Sequence, residues 1–116
     1  MSDRTVRFMR SIADQFPAFE KLLEEHRSDF GEILPHLAIA DLERHAESLF
    51  LAGESGREEL RAILVLLEEA FCSGDDELQE LISVSFLEHL PRPGEPVAGI
   101  RDLVGPAMSE QLEIIG

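Results

Sequence analysis

Two apolar runs constrain the fold of this chain more than any other feature of its sequence. Every residue of Ile63–Leu67 is apolar, and only two serines interrupt Leu81–Leu87. A helix that is apolar on all sides has to be buried, and the glycine-containing segment between the runs favours a turn. We therefore predict a central hairpin of two antiparallel helices over Ser55–Leu90, around which the other segments pack.

The segment before the hairpin has apolar residues at helical spacing. Ser2 is placed to cap a first helix, and Pro17 should end that helix and begin a second one. Residues 27–35 are the least regular part of the first half. Asp29 and Glu32 have the spacing of a capping box, but Pro35 cannot donate to the carbonyl oxygen of Gly31, so we expect only a single turn in this segment. A third helix is predicted from about Pro35 to Ala52.

Capping residues also mark the two helices of the hairpin. Ser55 begins a capping box, which places it at the start of the first hairpin helix. Asp75 or Asp76 suits the N-terminus of the second, which should run to about Leu90. The three prolines of segment 91–96 then predict a stiff surface loop.

Two further helices are predicted after this loop: a short one over Ala98–Val104, and, after a break at Gly105 and Pro106, a last one through Leu112 and Ile115. No segment shows the strict alternation of apolar and polar residues that is typical of a half-buried strand. A length of 116 residues fits one compact domain. The sequence thus predicts a single all-α domain over residues 1–116, a bundle of five to seven helices around the central hairpin.

The net charge limits the kinds of molecule that this protein is expected to bind. Asp and Glu number 24 against 10 Lys and Arg, so the formal net charge is −14. This excess argues against binding to a phosphate backbone or an anionic membrane surface. The absence of Trp and Tyr also removes the best stacking residues for single-stranded nucleic acid. We expect no nucleic acid and no membrane as partners, and instead a basic protein.

The tip of the hairpin should carry most of the uncompensated charge, because no Lys or Arg occurs between Arg61 and Arg92. A patch of carboxylates speeds association with a basic protein by long-range attraction. The alternative is an ordinary solvated tip, whose acids also stabilise the N-terminus of a helix. The candidate partner-binding residues are Glu68, Glu69, Asp75, Asp76, Glu77 and Glu80.

The histidines are the first test for metal or acid–base chemistry. Glu32–His36 and Asp41–His45 each have the i, i+4 spacing that brings two side chains together on a helix. The two histidines are nine residues apart, a rotation of about 180°, so the pairs cannot bind one ion. We predict no metal, no cofactor and no catalytic residue. His36 is expected to hydrogen-bond the irregular backbone of residues 29–34.

Cys72 is the single cysteine, which excludes an internal disulfide and a cysteine zinc site. Near a helix C-terminus and beside Glu68 and Glu69 its thiolate is disfavoured, so we expect a core or semi-buried thiol. The N-terminus lacks the apolar run of a signal peptide, and no run of about eighteen apolar residues occurs. The expected location is the cytoplasm.

Three motifs resemble a family of small acidic bacterial proteins: Gly31–Leu37 followed by Asp41, then Val84–Leu90, then Leu103–Pro106. The similarity extends from about Phe16 to Leu112. This family is catalogued as a domain of unknown function, and some of its members resemble immunity proteins that accompany toxins. The resemblance implies a bacterial source and a helical fold, and it supplies no catalytic residues.

These observations lead to one principal hypothesis and two alternatives. The principal hypothesis is a non-enzymatic, cytoplasmic protein-binding module of immunity type, which occludes a basic partner stoichiometrically and is a monomer or a homodimer. The first alternative is a small enzyme or metal-dependent sensor that uses His26, His36 or His45 with neighbouring carboxylates. The second is a structural subunit that dimerises through Phe50, Leu51 or Ile114–Ile115.

Overall fold

The all-α prediction is confirmed by a computed structural model, which describes residues 3–115 apart from the side chain of Asp3. Within this range the chain forms six α-helices and two short 3-10 helices, and it contains no strand. The Cα radius of gyration is 13.4 Å. The α-helices are α1 (Asp3–Gln15), α2 (Pro17–Phe30), α3 (Pro35–Leu51), α4 (Glu54–Phe71), α5 (Asp76–Ser85) and α6 (Pro106–Ile115).

The predicted hairpin corresponds to α4, α5 and the 3-10 helix Leu87–His89 that follows them. Eight of its apolar side chains form the middle of the core, with at most 2% of each exposed. The prediction that the two hairpin helices are buried on every side is wrong, because Val65 is 56% exposed and Val84 is 41% exposed. A domain of this size has too few elements to enclose a helix completely. The most buried hairpin residues are Leu60, Ile63, Leu64, Leu67, Leu81, Ile82, Phe86 and Leu87.

Helix α3 shares the centre of the fold with the hairpin, because it packs against α1, α2, α4 and α5. Ile39, Leu42 and Ala46 on its inner face are fully buried. Its contact with α4 depends on Gly56, where an added Cβ would lie 2.4 Å from the carbonyl oxygen of Leu49. The missing side chain therefore lets the two helix backbones approach closely.

Several predicted helix ends are confirmed. Pro17, Pro35 and Pro106 each stand at the first position of a helix, where the fixed φ of proline is compatible with the helix and its missing N–H is not needed. Asp75 is the N-cap of α5, and its carboxylate accepts hydrogen bonds from the backbone N–H groups of Glu77 and Leu78. The predicted cap at Ser2 lies outside the described residues.

The capping box at Ser55 is wrong. Helix α4 begins one residue earlier, at Glu54, and its N-cap is Gly53 with φ +70°. The Ser55 hydroxyl instead donates back to the carbonyl oxygen of Ala52 at 3.1 Å. Only two residues separate α3 from α4, and Gly53 reverses the chain in that short space with a positive φ that glycine adopts at little cost.

The prediction of an irregular segment with a single turn over residues 27–35 is also wrong in its first half, because α2 continues to Phe30. The helix ends at Gly31, which has φ +76° and whose N–H donates to the carbonyl oxygen of Arg27 at 2.8 Å. Glycine adopts this C-terminal conformation at little cost. The irregular connection therefore lies over residues 31–34.

Helix α5 ends at Ser85, although the sequence predicts that it runs to Leu90. A tighter 3-10 helix, Leu87–His89, follows it and buries Phe86, Leu87 and Leu90. Leu90 is extended, with ψ 146°, as expected for a residue that precedes proline.

The segment predicted as a helix over Ala98–Val104 is a 3-10 helix over Ala98–Asp102. Its Ile100 is fully buried. Among the described residues, no helix is both long enough and apolar enough to cross a membrane.

Candidate functional site

Asp75 and Glu77, two of the candidate partner-binding acids, are paired with a cation from the far end of the chain. One Asp75 oxygen accepts the capping bonds of α5, and the other lies 2.9 Å from a guanidinium nitrogen of Arg4. The guanidinium of Arg4 also lies 3.6 Å from the carboxylate of Glu77. The fold thus brings a cation from α1 to the hairpin tip, where the local sequence has none.

Glu68 caps the last helix of the chain. Its two carboxylate oxygens accept hydrogen bonds from the backbone N–H groups of Ala107 at 2.9 Å and Met108 at 3.0 Å. These donors belong to the first turn of α6, where N–H groups have no partner within the helix. Gly105 makes room for this contact, because a Cβ there would lie 2.5 Å from the carboxyl carbon of Glu68. Glu68 is therefore a structural group that joins α4 to α6.

Glu69, Asp76 and Glu80 are the remaining candidates, and all three are exposed. None of them has a hydrogen-bonding or ion-pairing partner among the described side chains. Asp76 and Glu80 lie one turn apart on α5, and both line the same groove, whereas Glu69 lies on α4 and does not line it. The structure therefore brings two of the six candidates together on a concave surface.

This groove has a volume of about 280 Å³ and runs between α5 and α6 beside the end of α4. Its polar walls are already hydrogen-bonded: the Gln79 amide donates to the carbonyl oxygen of Phe71 at 2.9 Å, and the Gln111 amide donates to the Ser83 hydroxyl at 3.2 Å. Its remaining lining consists of Phe71, Val84 and the two free carboxylates. The sequence shows the stripe of Asp76, Glu80 and Val84 at four-residue spacing, but not that α6 completes a groove beside it.

Cys72 is exposed, so the prediction of a core or semi-buried thiol is wrong. The residue is the C-cap of α4, beyond the last buried turn of that helix. Its sulfur donates toward Glu68 Oε2 at 3.5 Å. Partial desolvation, this hydrogen bond and the negative charge of Glu68 raise the pKa of the thiol. The prediction of a disfavoured thiolate is therefore confirmed.

His26 holds the irregular connection between α2 and α3. It is buried, and its Nε2 accepts a hydrogen bond from the backbone N–H of Leu34 at 2.9 Å. Its proton is therefore on Nδ1, which lies 3.8 Å from a carboxylate oxygen of Asp41. The sequence assigned this backbone contact to His36, ten residues further along the chain.

His36 instead contacts α5, with its Nδ1 2.5 Å from the hydroxyl of Ser85. A serine beside a histidine is the arrangement of an activated nucleophile. Ser85, however, is only 2% exposed, so a substrate cannot reach its oxygen. The contact between His36 and Ser85 joins the first turn of α3 to the last turn of α5.

His45 lies 2.7 Å from the carboxylate of Glu59 on α4, and Asp41 forms an ion pair with Arg44. Neither predicted i, i+4 pair forms, since His36 and His45 both bond residues of other helices. The described residues contain no group of three His, Cys, Asp or Glu side chains that could hold a metal ion.

Glu43 is a buried acid that the sequence analysis did not single out. It is 3% exposed, and its Oε2 atom has no hydrogen-bonding partner in the described structure. Burial raises its pKa to about 9, assisted by a hydrogen bond with Glu47 and by the charge of that group, while Arg44 acts in the opposite direction. Glu43 lies two turns after His36, so helical geometry places it on the side of α3 that faces α5.

Comparison with known protein families gives a match over most of the chain. Residues 9–114 match a family described as a domain of unknown function, DUF7674. No curated protein and no solved structure matches the chain. Because the match spans nearly the whole sequence, the chain belongs to the DUF7674 family of domains of unknown function.

Proposed function

We propose that this protein is a non-enzymatic binding module of immunity type from the bacterial cytoplasm. It binds a basic protein partner stoichiometrically and acts by covering the partner's surface, without turnover. The observation that carries this proposal is the set of exposed carboxylates near the hairpin tip, Glu69, Asp76 and Glu80, which have no cation partner among the described residues.

Uncompensated carboxylates are useful when the partner is basic. The protein has a formal net charge of −14, so its field attracts a cationic protein over distances of about one Debye length, roughly 8–10 Å at physiological salt. Such attraction raises the association rate and disfavours acidic partners. Mutual repulsion between the same carboxylates destabilises the free protein slightly, and a cationic partner relieves that repulsion.

The contacts of the six candidate acids decide which of them we propose for binding. Glu68 and Asp75 hold helix N-termini, and Glu77 shares Arg4 with Asp75. Replacing these three would disturb the fold as well as the surface charge. The binding role therefore rests on Glu69, Asp76 and Glu80.

A charge-reversal experiment tests the proposal. The tip variant carries Glu69→Lys, Asp76→Lys and Glu80→Lys, and a control variant carries three substitutions at exposed acids elsewhere. Both variants change the net charge equally, so they separate a local surface from a general effect of acidity. The control substitutions are Glu25→Lys, Glu58→Lys and Glu113→Lys.

Immobilised wild-type, tip and control proteins are incubated with a bacterial lysate at low and at high salt. We expect the wild-type and control proteins to retain the same basic protein at low salt, with less retained at high salt, and the tip variant to retain none. Circular dichroism should show equal helix content in all three. Equal retention by the tip variant, or no retention by the wild type at either salt, would contradict the proposal.

A second candidate is a dimerising subunit, because Leu51 is 69% exposed and Ile114 is 73% exposed. Phe50 is less available, since it packs beneath the guanidinium of Arg57 at 4.9 Å. A mass that rises with protein concentration and is insensitive to salt would favour this candidate. A monomeric mass at all concentrations would exclude it.

A further inference from the structure

We propose that the groove between α5 and α6 binds a basic amphipathic helix of the protein partner, with its apolar face on Phe71 and Val84 and its cations beside Asp76 and Glu80. This inference rests on the proposed function and names the occupant of its acidic surface. It also assigns the apolar residues that would make binding depend on shape as well as on charge.

The geometry of α5 supports a helical occupant. Asp76, Glu80 and Val84 follow one another at intervals of four residues, so they form one stripe along the outside of the helix. Helix α6 packs on α4 and on the 3-10 helix Leu87–His89, and its Gln111 closes one side of the groove by donating to the Ser83 hydroxyl of α5. The outward stripe of α5 is therefore an exposed helix surface, onto which another helix can pack.

The lining of the groove favours an apolar side chain at its centre. Gln79 and Gln111 each donate one hydrogen bond to a protein oxygen, which holds both amides against the wall of the groove. Val84 is 41% exposed and Phe71 is 9% exposed, so Val84 supplies most of the open apolar surface of the groove. An occupant that covers Val84 and Phe71 removes apolar area from water, which favours association.

The charges around the groove favour a basic occupant. Asp76 and Glu80 have no cation partner among the described residues. A second copy of this chain would bring another net charge of −14 and be repelled. The protein itself already holds one arginine-bearing helix at this end of α5, because Arg4 of α1 contacts Asp75 and Glu77. The carboxylates that line the groove are open to a second such helix.

A synthetic peptide provides the probe. It contains about 14 residues, or about four turns, of leucine and lysine arranged so that all leucines fall on one helical face. A control peptide has the same composition with the leucines distributed around the helix. Binding of each labelled peptide to the full-length protein is measured by fluorescence anisotropy at low and at high salt.

Two protein variants distinguish binding of the peptide in the groove from nonspecific electrostatic attraction to the acidic protein. Val84→Glu places a charge on the groove wall. Val65→Glu is the matched control, since Val65 is also exposed and lies four residues from a free glutamate, Glu69, but does not line the groove. Both variants gain one negative charge, so attraction by charge alone would tighten peptide binding to both.

We expect the amphipathic peptide to bind the wild type more tightly than the control peptide, with affinity that falls as salt rises. Val84→Glu should weaken its binding by about tenfold, since one apolar contact is lost, and Val65→Glu should not weaken it. Equal binding of both peptides, equal affinities of the two variants, or no binding to the wild type would overturn the inference. The lysate experiment then decides separately whether the proposed function stands without the groove.

Discussion

Replacing the buried Glu43 with glutamine should stabilise the protein at neutral pH. Glu43 is 3% exposed and its pKa in the folded protein is raised to about 9 from an ordinary value of 4.5, chiefly by burial. At pH 7 the group is therefore protonated in the folded state and ionised in the unfolded state. Between about pH 4.5 and pH 9 folding must therefore take up a proton, and this uptake is unfavourable because the pH is above the ordinary pKa of the group.

The magnitude follows from the difference between pH and the unfolded pKa. Each unit corresponds to about 1.4 kcal/mol, so the uptake of a proton at pH 7 costs about 3 kcal/mol of folding free energy. The contribution of Glu43 to the free energy of unfolding is most favourable below pH 4.5, and it is lost progressively as the pH rises toward about 9. Glutamine has nearly the same shape and carries no ionisable proton, so Glu43→Gln removes this pH dependence.

Urea unfolding of wild type and Glu43→Gln between about pH 5 and pH 8 measures the effect. We expect the difference in the free energy of unfolding to grow in favour of the variant by up to about 1.4 kcal/mol per pH unit. Glu25→Gln, at an exposed position on α2, is the control and should show no such growth. Parallel curves for wild type and Glu43→Gln would refute the assignment of a buried, protonated carboxyl group.

Two further predictions concern the end of α4. Glu68→Ala removes both hydrogen-bond acceptors at the start of α6 and should lower the free energy of unfolding by about 1–2 kcal/mol in thermal or urea denaturation. Glu69→Ala is the control, because the neighbouring Glu69 makes no such contacts, and it should change the free energy of unfolding little. Equal losses in the two variants would contradict the capping role of Glu68. The raised pKa of Cys72 predicts slow reaction with a thiol reagent at about pH 8, and Glu68→Gln should speed that reaction because it removes the neighbouring negative charge. An unchanged rate in Glu68→Gln would show that this carboxylate does not control the thiol.

The sequence predicts helix boundaries best where local chemistry decides them. Pro17, Pro35 and Pro106 begin helices because the conformation of proline is fixed by its own ring, and Asp75 caps α5 through neighbouring N–H groups. The end of α5 could not be predicted in the same way. It depends on how the apolar side chains that follow Ser85 fit into a core formed by distant segments.

The candidate site was predicted less completely, because its contacts join residues that are far apart in sequence. Arg4 and Asp75 are separated by 71 positions, and Glu68 and Ala107 by 39. The sequence indicates that the hairpin tip is acidic. It does not indicate which carboxylates are used by the fold and which remain available, and this distinction depends on the positions of α1 and α6.

Residues 68–77 contact both the first and the last helix of the fold. Arg4, near the start of α1, bonds Asp75, and the first turn of α6 bonds Glu68. A partner that restrains this segment should therefore also slow amide hydrogen exchange in α1 and α6, although it touches neither bond directly. Slower hydrogen exchange of backbone amides in α1 and α6 would then show that a partner has bound at the hairpin tip.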